Sequence, residues 1–433
     1  MYVVGARWAV DPATGVVRGN WGVVVENGVI EDSGDIDALI SRYPSYEKIL
    51  KGRGILVPAF TNAHTHLAMT MLRGVSAQLD FSRWFSEAVR PRESLLTPHD
   101  VYVGAKMGAV ELALNATSCF VDMYFHEEEV IRAGLEVGLK GVYTYGVVDN
   151  GIEDKAKSEV LETKKFLRFA QAQDSHWVKT GLAPHSPYTV SPRLLAELGE
   201  IAAEESLPIF THVAERPDEK KIVRKMFGAK VGAYDKYLER VGILKGLTAF
   251  HGTHLTRDEV RGFRKRGVML VVNPVSNMRL GNGLPPLNML RMEGIDLAIG
   301  TDGSASNDEL SLLHDIKLGA LISMVQPGDR LSPTELLHSA VRAQSRYFGK
   351  EVGLSKGCVA DLAIFEERLG PGAADNPANW LVYSPSNFVC SQLFVGGTRV
   401  VVDGRMPHID IEGVKEEYEK SLQRIEDRLS EHR

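Results

Sequence analysis

The chain has 433 residues, 44% of them hydrophobic, which is enough to bury a sizeable core in one large domain with an appendage or in two to three domains. Its 50 Lys and Arg are well mixed with 56 Asp and Glu, for a formal net charge of −6, so it carries no electrostatic footprint for nucleic acid and suits small, neutral or mildly charged partners. Cys119, Cys358 and Cys390 are too few and too scattered for a disulfide framework, the start at 1–7 does not read as a leader, and no uncharged run is long enough to span a bilayer, so the expectation is a cytoplasmic protein without a membrane partner.

The chain opens with short alternating segments, and Asn27-Gly28 inside 21–30 is a hairpin signal. From about Ile55 the pattern becomes apolar strands alternating with amphipathic helices, which implies a parallel sheet. Such strands are predicted near 55–60, 118–123, 142–148, 179–183, 208–212, 248–251, 268–272 and 297–300. Among the helices between them is 192–205, with Ser191 as N-cap and Pro192 at the first helical position. Eight strand–helix units predict a (β/α)8 TIM barrel over 55–352. Beyond Val352 the β character returns at 359–365 and 389–402, and segments 1–54 and 353–410 are expected to pair into a small composite β-sandwich. Residues 411–433 read as a terminal surface helix.

A barrel of this kind builds its chemistry at the carboxyl ends of its strands. There the sequence places His64-Thr65-His66 after the first strand, Pro184-His185 after the fourth, Thr211-His212 at the fifth, His251 at the sixth and Thr301-Asp302-Gly303 after the eighth. Histidines at i and i+2 on a strand end project to one side. Alone, such a pair is more often structural than ligating, and the weight comes from the convergence of several strand ends. Three neutral imidazoles and a carboxylate around one divalent ion leave room for a water, the open shell of a catalytic site. Such an ion lowers the pKa of water from about 15.7 toward about 7 and makes hydroxide available. Glu215, just beyond His212, is placed to shuttle a proton, or else is a solvated charge opening the loop 216–220. His251 can hold or polarise the hydroxide, and Asp302 can accept its proton. His185 either contacts substrate or braces the loop 186–188. His254 reads as support for its loop. Trp84 and Phe85 form either a lid or barrel packing, and Glu93 is at minimum a carboxylate favoured near a helix start.

Taken together, Pro58–His66, Pro184-His185-Ser186-Pro187-Tyr188, His212-Val213-Ala214-Glu215, His251–Leu255, Asn273-Pro274-Val275-Ser276-Asn277 and Gly300–Asn307 resemble the amidohydrolase superfamily. The likeness is greatest to the branch of 5′-methylthioadenosine/S-adenosylhomocysteine deaminases and triazine chlorohydrolases. It implies His64, His66, His212 and Asp302 as ligands of one divalent metal ion, Zn2+ or alternatively Fe2+. Pro184-His185 stands where two-metal branches place a lysine, which implies a mononuclear centre. It further implies Glu215, His251 and Asp302 as catalytic residues, Glu93 on the ribose hydroxyls, and His185 and Ser306 as substrate contacts. An Arg that this group can place after the third strand has no counterpart in Tyr143–Val148.

The expected activity is that of an aminohydrolase. It would convert the exocyclic amine of an adenine-type nucleoside, such as 5′-methylthioadenosine, S-adenosylhomocysteine or adenosine, to the oxo form with release of ammonia. The alternatives are hydrolysis of another N-heterocycle, such as a halogenated triazine, guanine or a pterin, and a barrel scaffold without activity. The partner is a small molecule, with self-association into a homo-oligomer left open.

Overall fold

The structure is a computed structural model and describes residues 1–75, 79–173, 175–370 and 376–431. In chain order the strands are β1 (Tyr2–Asp11), β2 (Val16–Glu26), β3 (Val29–Asp35), β4 (Glu47–Pro58), β5 (Phe60–Thr65), β6 (Thr117–Tyr124), β7 (Lys140–Val147), β8 (Val178–Thr180), β9 (Ala183–Pro184), β10 (Ile209–Val213), β11 (Leu247–His251), β12 (Met269–Val272), β13 (Asp296–Ile299), β14 (Leu362–Glu367), β15 (Phe388–Val395) and β16 (Thr398–Val402).

Strands β5 to β8 and β10 to β13 form two parallel arcs, with β9 pairing to β7. Backbone bonds stitch both seams. On one side Phe210 N donates to Leu182 O at 2.8 Å, and on the other Asp302 N donates to His64 O at 3.0 Å. Inside the arcs Ala63, Val121, Met123, Val142, Phe210, Phe250, Met269, Val271 and Ala298 pack into a core of their own. Outside, a larger apolar layer seals the strands against the helices. Both faces of most of these strands are therefore buried, which is why they read as continuous apolar runs, β8 with its exposed Lys179 being the exception. The predicted N-cap holds: Ser191 Oγ accepts from Leu194 N at 3.3 Å ahead of the helix Pro192–Glu204.

The strand expected near 55–60 divides in two. Residues 55–58 end β4, which pairs with β1 and β14 outside the arcs, and the barrel strand starts only at Phe60. Within this stretch Leu56 buries into one core and Ile55 and Val57 into another, so the run looks uninterrupted although it crosses between two sheets.

The flanking segments expected as a sandwich pair into a single seven-stranded sheet, β16-β15-β14-β4-β1-β2-β3. The sheet curls until its β3 edge meets the chain ahead of β14, where Ile30 N donates to Cys358 O at 2.9 Å. The hairpin signal is correct. Asn27 and Gly28 both have positive φ, 49° and 78°, as a tight turn between β2 and β3 requires. A Cβ on Gly28 would come within 2.8 Å of Gly396 O, so the curled sheet needs glycine there as well. The terminal helix, Ile411–Glu431, buries Val414 and Ile425 against the barrel helix Pro98–Leu114. No helix among the described residues is long and apolar enough to cross a membrane.

Candidate active site

His64 lies in β5 and His66 just past its end, and strand alternation turns both rings inward. His212 lies in β10, His251 ends β11 and Asp302 follows β13. The ligand-capable atoms of His64, His66 and His212 lie within 4.8 Å of one another, as do those of His64, His251 and Asp302. The close seating of Asp302 beside His64 depends on Gly300, where a Cβ would fall 2.7 Å from His64 N. The strand ends are also strained. Ala214, His251 and Asp302 have φ of 52°, 71° and 64°. A left-handed non-glycine residue costs about 1 to 3 kcal/mol and persists only where its surroundings enforce it.

Most members of the cluster are oriented from behind. His66 Nδ1 bonds Met123 O at 2.5 Å and His212 Nδ1 bonds His185 O at 2.6 Å. Each carbonyl holds Nδ1 as the donor and turns Nε2 toward the centre. His251 Nδ1 sits 2.8 Å from Asn277 Oδ1. Asp302 Oδ2 accepts from Ser276 Oγ at 2.6 Å and Ser306 Oγ at 2.9 Å, and its Oδ1 accepts from Gly303 N at 2.7 Å. That Oδ1 stands 3.2 Å from His66 Nε2 and 3.5 Å from His64 Nε2.

His64 is the exception. It is fully buried, its ring stacks on Phe250 at 3.8 Å between centroids, and neither ring nitrogen makes a hydrogen bond. A buried polar group without a partner calls for an explanation, and a cation supplies one. Burial holds the His64 imidazole down to about 3 and that of His212 well below its ordinary value, so both are neutral bases. Burial also opposes charge on His66, yet Asp302 overrides it and pulls that ring up to about 9. Against its own burial, Asp302 is held well below the usual carboxylate range by His64 and His66. The centre therefore combines a buried anion with a demand for one positive charge beside it. Three imidazoles and a carboxylate fit a divalent cation.

Glu215 is 4% exposed, which removes the reading of a solvated loop charge. Its Oε1 accepts from Asn282 Nδ2 at 3.0 Å, and burial pushes its carboxyl above the ordinary range. Glu219 caps the same turn, accepting from Ala214 N at 3.1 Å and Glu215 N at 3.0 Å.

Glu93, at the end of the short helix Arg90–Glu93, is brought to this mouth by Tyr124, whose hydroxyl donates to Glu93 Oε1 at 2.7 Å and whose ring lies 6.4 Å from that of His66. The His185 ring lies 4.5 Å from the His212 ring, tilted 35° to it, and its Nδ1 bonds Thr189 Oγ1 at 2.9 Å, so it braces its own loop while facing the cluster. The Ser306 hydroxyl is spent on Asp302. Trp84 is buried, its Nε1 donating to Ala305 O at 3.0 Å, whereas Phe85 is exposed. His254 does support its loop, with Nε2 2.6 Å from Asn282 O. Asn282 and Tyr124 had no place in the sequence reading, and Ser276 and Asn277 entered it only within the stretch 273–277, with no role of their own. The polar stretch after the seventh barrel strand was the available signal for Ser276, Asn277 and Asn282. A cavity of about 740 Å³ opens at the opposite ends of the strands, around Val178 and Ile209, and shares no residue with this cluster.

The amidohydrolase family model matches residues 55–400. The chain belongs to the amidohydrolase family. This amidohydrolase is 34% identical over 411 residues to the 5-methylthioadenosine/S-adenosylhomocysteine deaminase of Pyrococcus furiosus, covering 93% of this chain and 95% of that one. It is 34% identical over 416 residues to the 5′-deoxyadenosine deaminase of Methanopyrus kandleri, covering 91% and 95%. A zinc-bound adenosine deaminase from Xanthomonas campestris superposes with a TM-score of 0.89 at 24% identity, covering 98% of each chain, which shows a shared fold of the TIM-barrel class.

Proposed function

We propose that this amidohydrolase deaminates an adenine-type nucleoside such as adenosine, 5′-deoxyadenosine, 5′-methylthioadenosine or S-adenosylhomocysteine, replacing the exocyclic amine with oxygen and releasing ammonia. The observation that carries this reading is the buried Glu215 carboxyl set beside an inward-facing group of imidazoles and one carboxylate, in a chain whose relatives include deaminases of such nucleosides. His64, His66, His212 and Asp302 would hold one divalent ion, with Zn2+ preferred and Fe2+ the alternative. Bound there, the ion would supply hydroxide at neutral pH by lowering the pKa of a coordinated water toward about 7.

The protein's own groups do the proton work. Glu215 takes a proton as the nucleophile ionises and delivers it to the ring nitrogen next to the amine-bearing carbon, where negative charge would otherwise build up. A carboxyl held above its ordinary pKa is suited to carrying that proton. His251, fixed through Nδ1, presents its other nitrogen to the attacking oxygen. As the C–N bond breaks and the C=O bond forms, the hydroxyl proton passes to Asp302 and then to the departing amine, which leaves as ammonia. Glu93 would bind the ribose hydroxyls, with His185 and Ser306 beside the base. The catalytic domain, expected over 55–352, would begin at about Phe60, with 1–58 and 353–410 a composite β domain and 411–433 a helical appendage.

Ammonia release from a panel of adenosine, 5′-deoxyadenosine, 5′-methylthioadenosine, S-adenosylhomocysteine, guanine and triazines tests the reading. Release from one or more of the nucleosides is expected. Turnover of none of them by metal-loaded protein would remove it.

A further inference from the structure

The helix Pro274–Arg279 and the turn that follows reach three different strand ends at once. Ser276 Oγ bonds Asp302 at 2.6 Å, Asn277 Oδ1 meets His251 Nδ1 at 2.8 Å, and Asn282 Nδ2 donates to Glu215 Oε1 at 3.0 Å. The turn is itself closed, because Asn282 N donates to Asn277 O at 2.8 Å and His254 Nε2 bonds Asn282 O at 2.6 Å. Gly281 and Gly283 flank Asn282 with φ of 68° and 115°, backbone shapes that a side chain would resist. Asn277 and Asn282 are buried, so neither exchanges these bonds for water.

We propose that this segment is a positioning bracket in which Asn282 fixes the Glu215 carboxyl relative to His251 and selects the oxygen that carries the proton. This rests on the function proposed above. An amide N–H can only donate, so Oε1 facing Asn282 stays the acceptor and the transferable proton rides on Oε2. Without that bond the carboxyl rotates freely and either oxygen can hold the proton. Asn282 thus acts through Glu215. The titratable and charged groups around Glu215 are His251, Asp302, Arg216, His66, Tyr188 and Glu219, none of which donates a hydrogen bond to its carboxyl.

The test compares the full-length wild type with Asn282→Ala and the similarly sized Asn282→Leu, should the smaller side chain unsettle the turn. Expected is a fall in kcat of about 10-fold to 100-fold, part of what a general acid–base contributes, with KM and bound metal unchanged. In a Glu215→Gln background the same substitution should cost nothing further, whereas a merely structural role would lower both backgrounds alike. Crystal structures of wild type and variant supply a readout apart from activity. The expected result is a displaced or disordered Glu215 carboxyl, with His64, His66, His212 and Asp302 in place. Full kcat, loss of metal in step with activity, or an unmoved Glu215 would each overturn the bracket. If the wild type deaminates no nucleoside, the proposed function fails, and the Glu215 position in the variant still decides the bracket.

Discussion

The two ends of the barrel strands handle buried polar groups in opposite ways. At the amino ends, Lys140, which begins β7, sits 2.7 Å from Asp361, the residue ahead of β14, and both are nearly inaccessible. Asp361 is saturated there by Lys140 at both oxygens, by Gln344 Nε2 at 2.5 Å and by Gly396 N at 2.5 Å. At the carboxyl ends, His64 has no hydrogen bond and Asn273 Oδ1 and Asn277 Nδ2 also lack partners. A satisfied network costs the fold nothing more and ties the flanking sheet to the barrel. An unsatisfied one persists only where something else repays it. The contrast separates a buried ion pair with every oxygen bonded from a group of neutral imidazole and amide atoms left without partners.

The largest expected effect comes from the carboxyl end. Asp302→Asn leaves the imidazoles without their anion, and metal analysis together with ammonia release should show loss of both. Retention of metal would break the comparison at its centre. Glu215→Gln should keep metal and lower kcat about 10²-fold to 10⁴-fold, the range of general acid–base catalysis. At the amino end, Asp361→Ala strands the buried Lys140 ammonium and should cost about 3 to 5 kcal/mol in urea unfolding. Metal content at low temperature should stay the same. The paired change Lys140→Met with Asp361→Leu should recover much of that loss, because an apolar pair replaces the ion pair without leaving a charge behind. The smallest effect is at Glu93. Glu93→Ala should weaken kcat/KM for nucleosides by about 1.5 to 3 kcal/mol, the worth of a hydrogen bond to a charged group, and leave free bases nearly unchanged. Equal losses for both would show that Glu93 does not meet a ribose.

Much of the arrangement was legible in the residues. The alternation of apolar runs and amphipathic helices gave the barrel class and seven of its strands closely, because strands buried on both faces are apolar throughout. The first strand was misplaced for the same reason. Ile55 to Phe60 is apolar in either sheet, and the crossing is marked only by Pro58, which ends β4 and has no N–H to continue a ladder. The flanking segments read as β, but a linear pattern holds no information about whether seven strands lie in one curled sheet or in two. In the site, His64, His66, His212, His251 and Asp302 stood out because polar residues ending apolar strands are conspicuous. Asn282 and Ser276 did not, since amides and hydroxyls in a loop after a strand are ordinary there. Only the fold shows that their bonds end on Glu215 and Asp302.

His64, His66, His212 and Asp302 would share one divalent ion. Anomalous diffraction at the zinc and iron edges from crystals of the purified protein tests it directly. A single peak is expected about 2.0 to 2.2 Å from the ring nitrogens and the Asp302 oxygen. A metal bound elsewhere, or metal-replete crystals with no peak among these four residues, would contradict it.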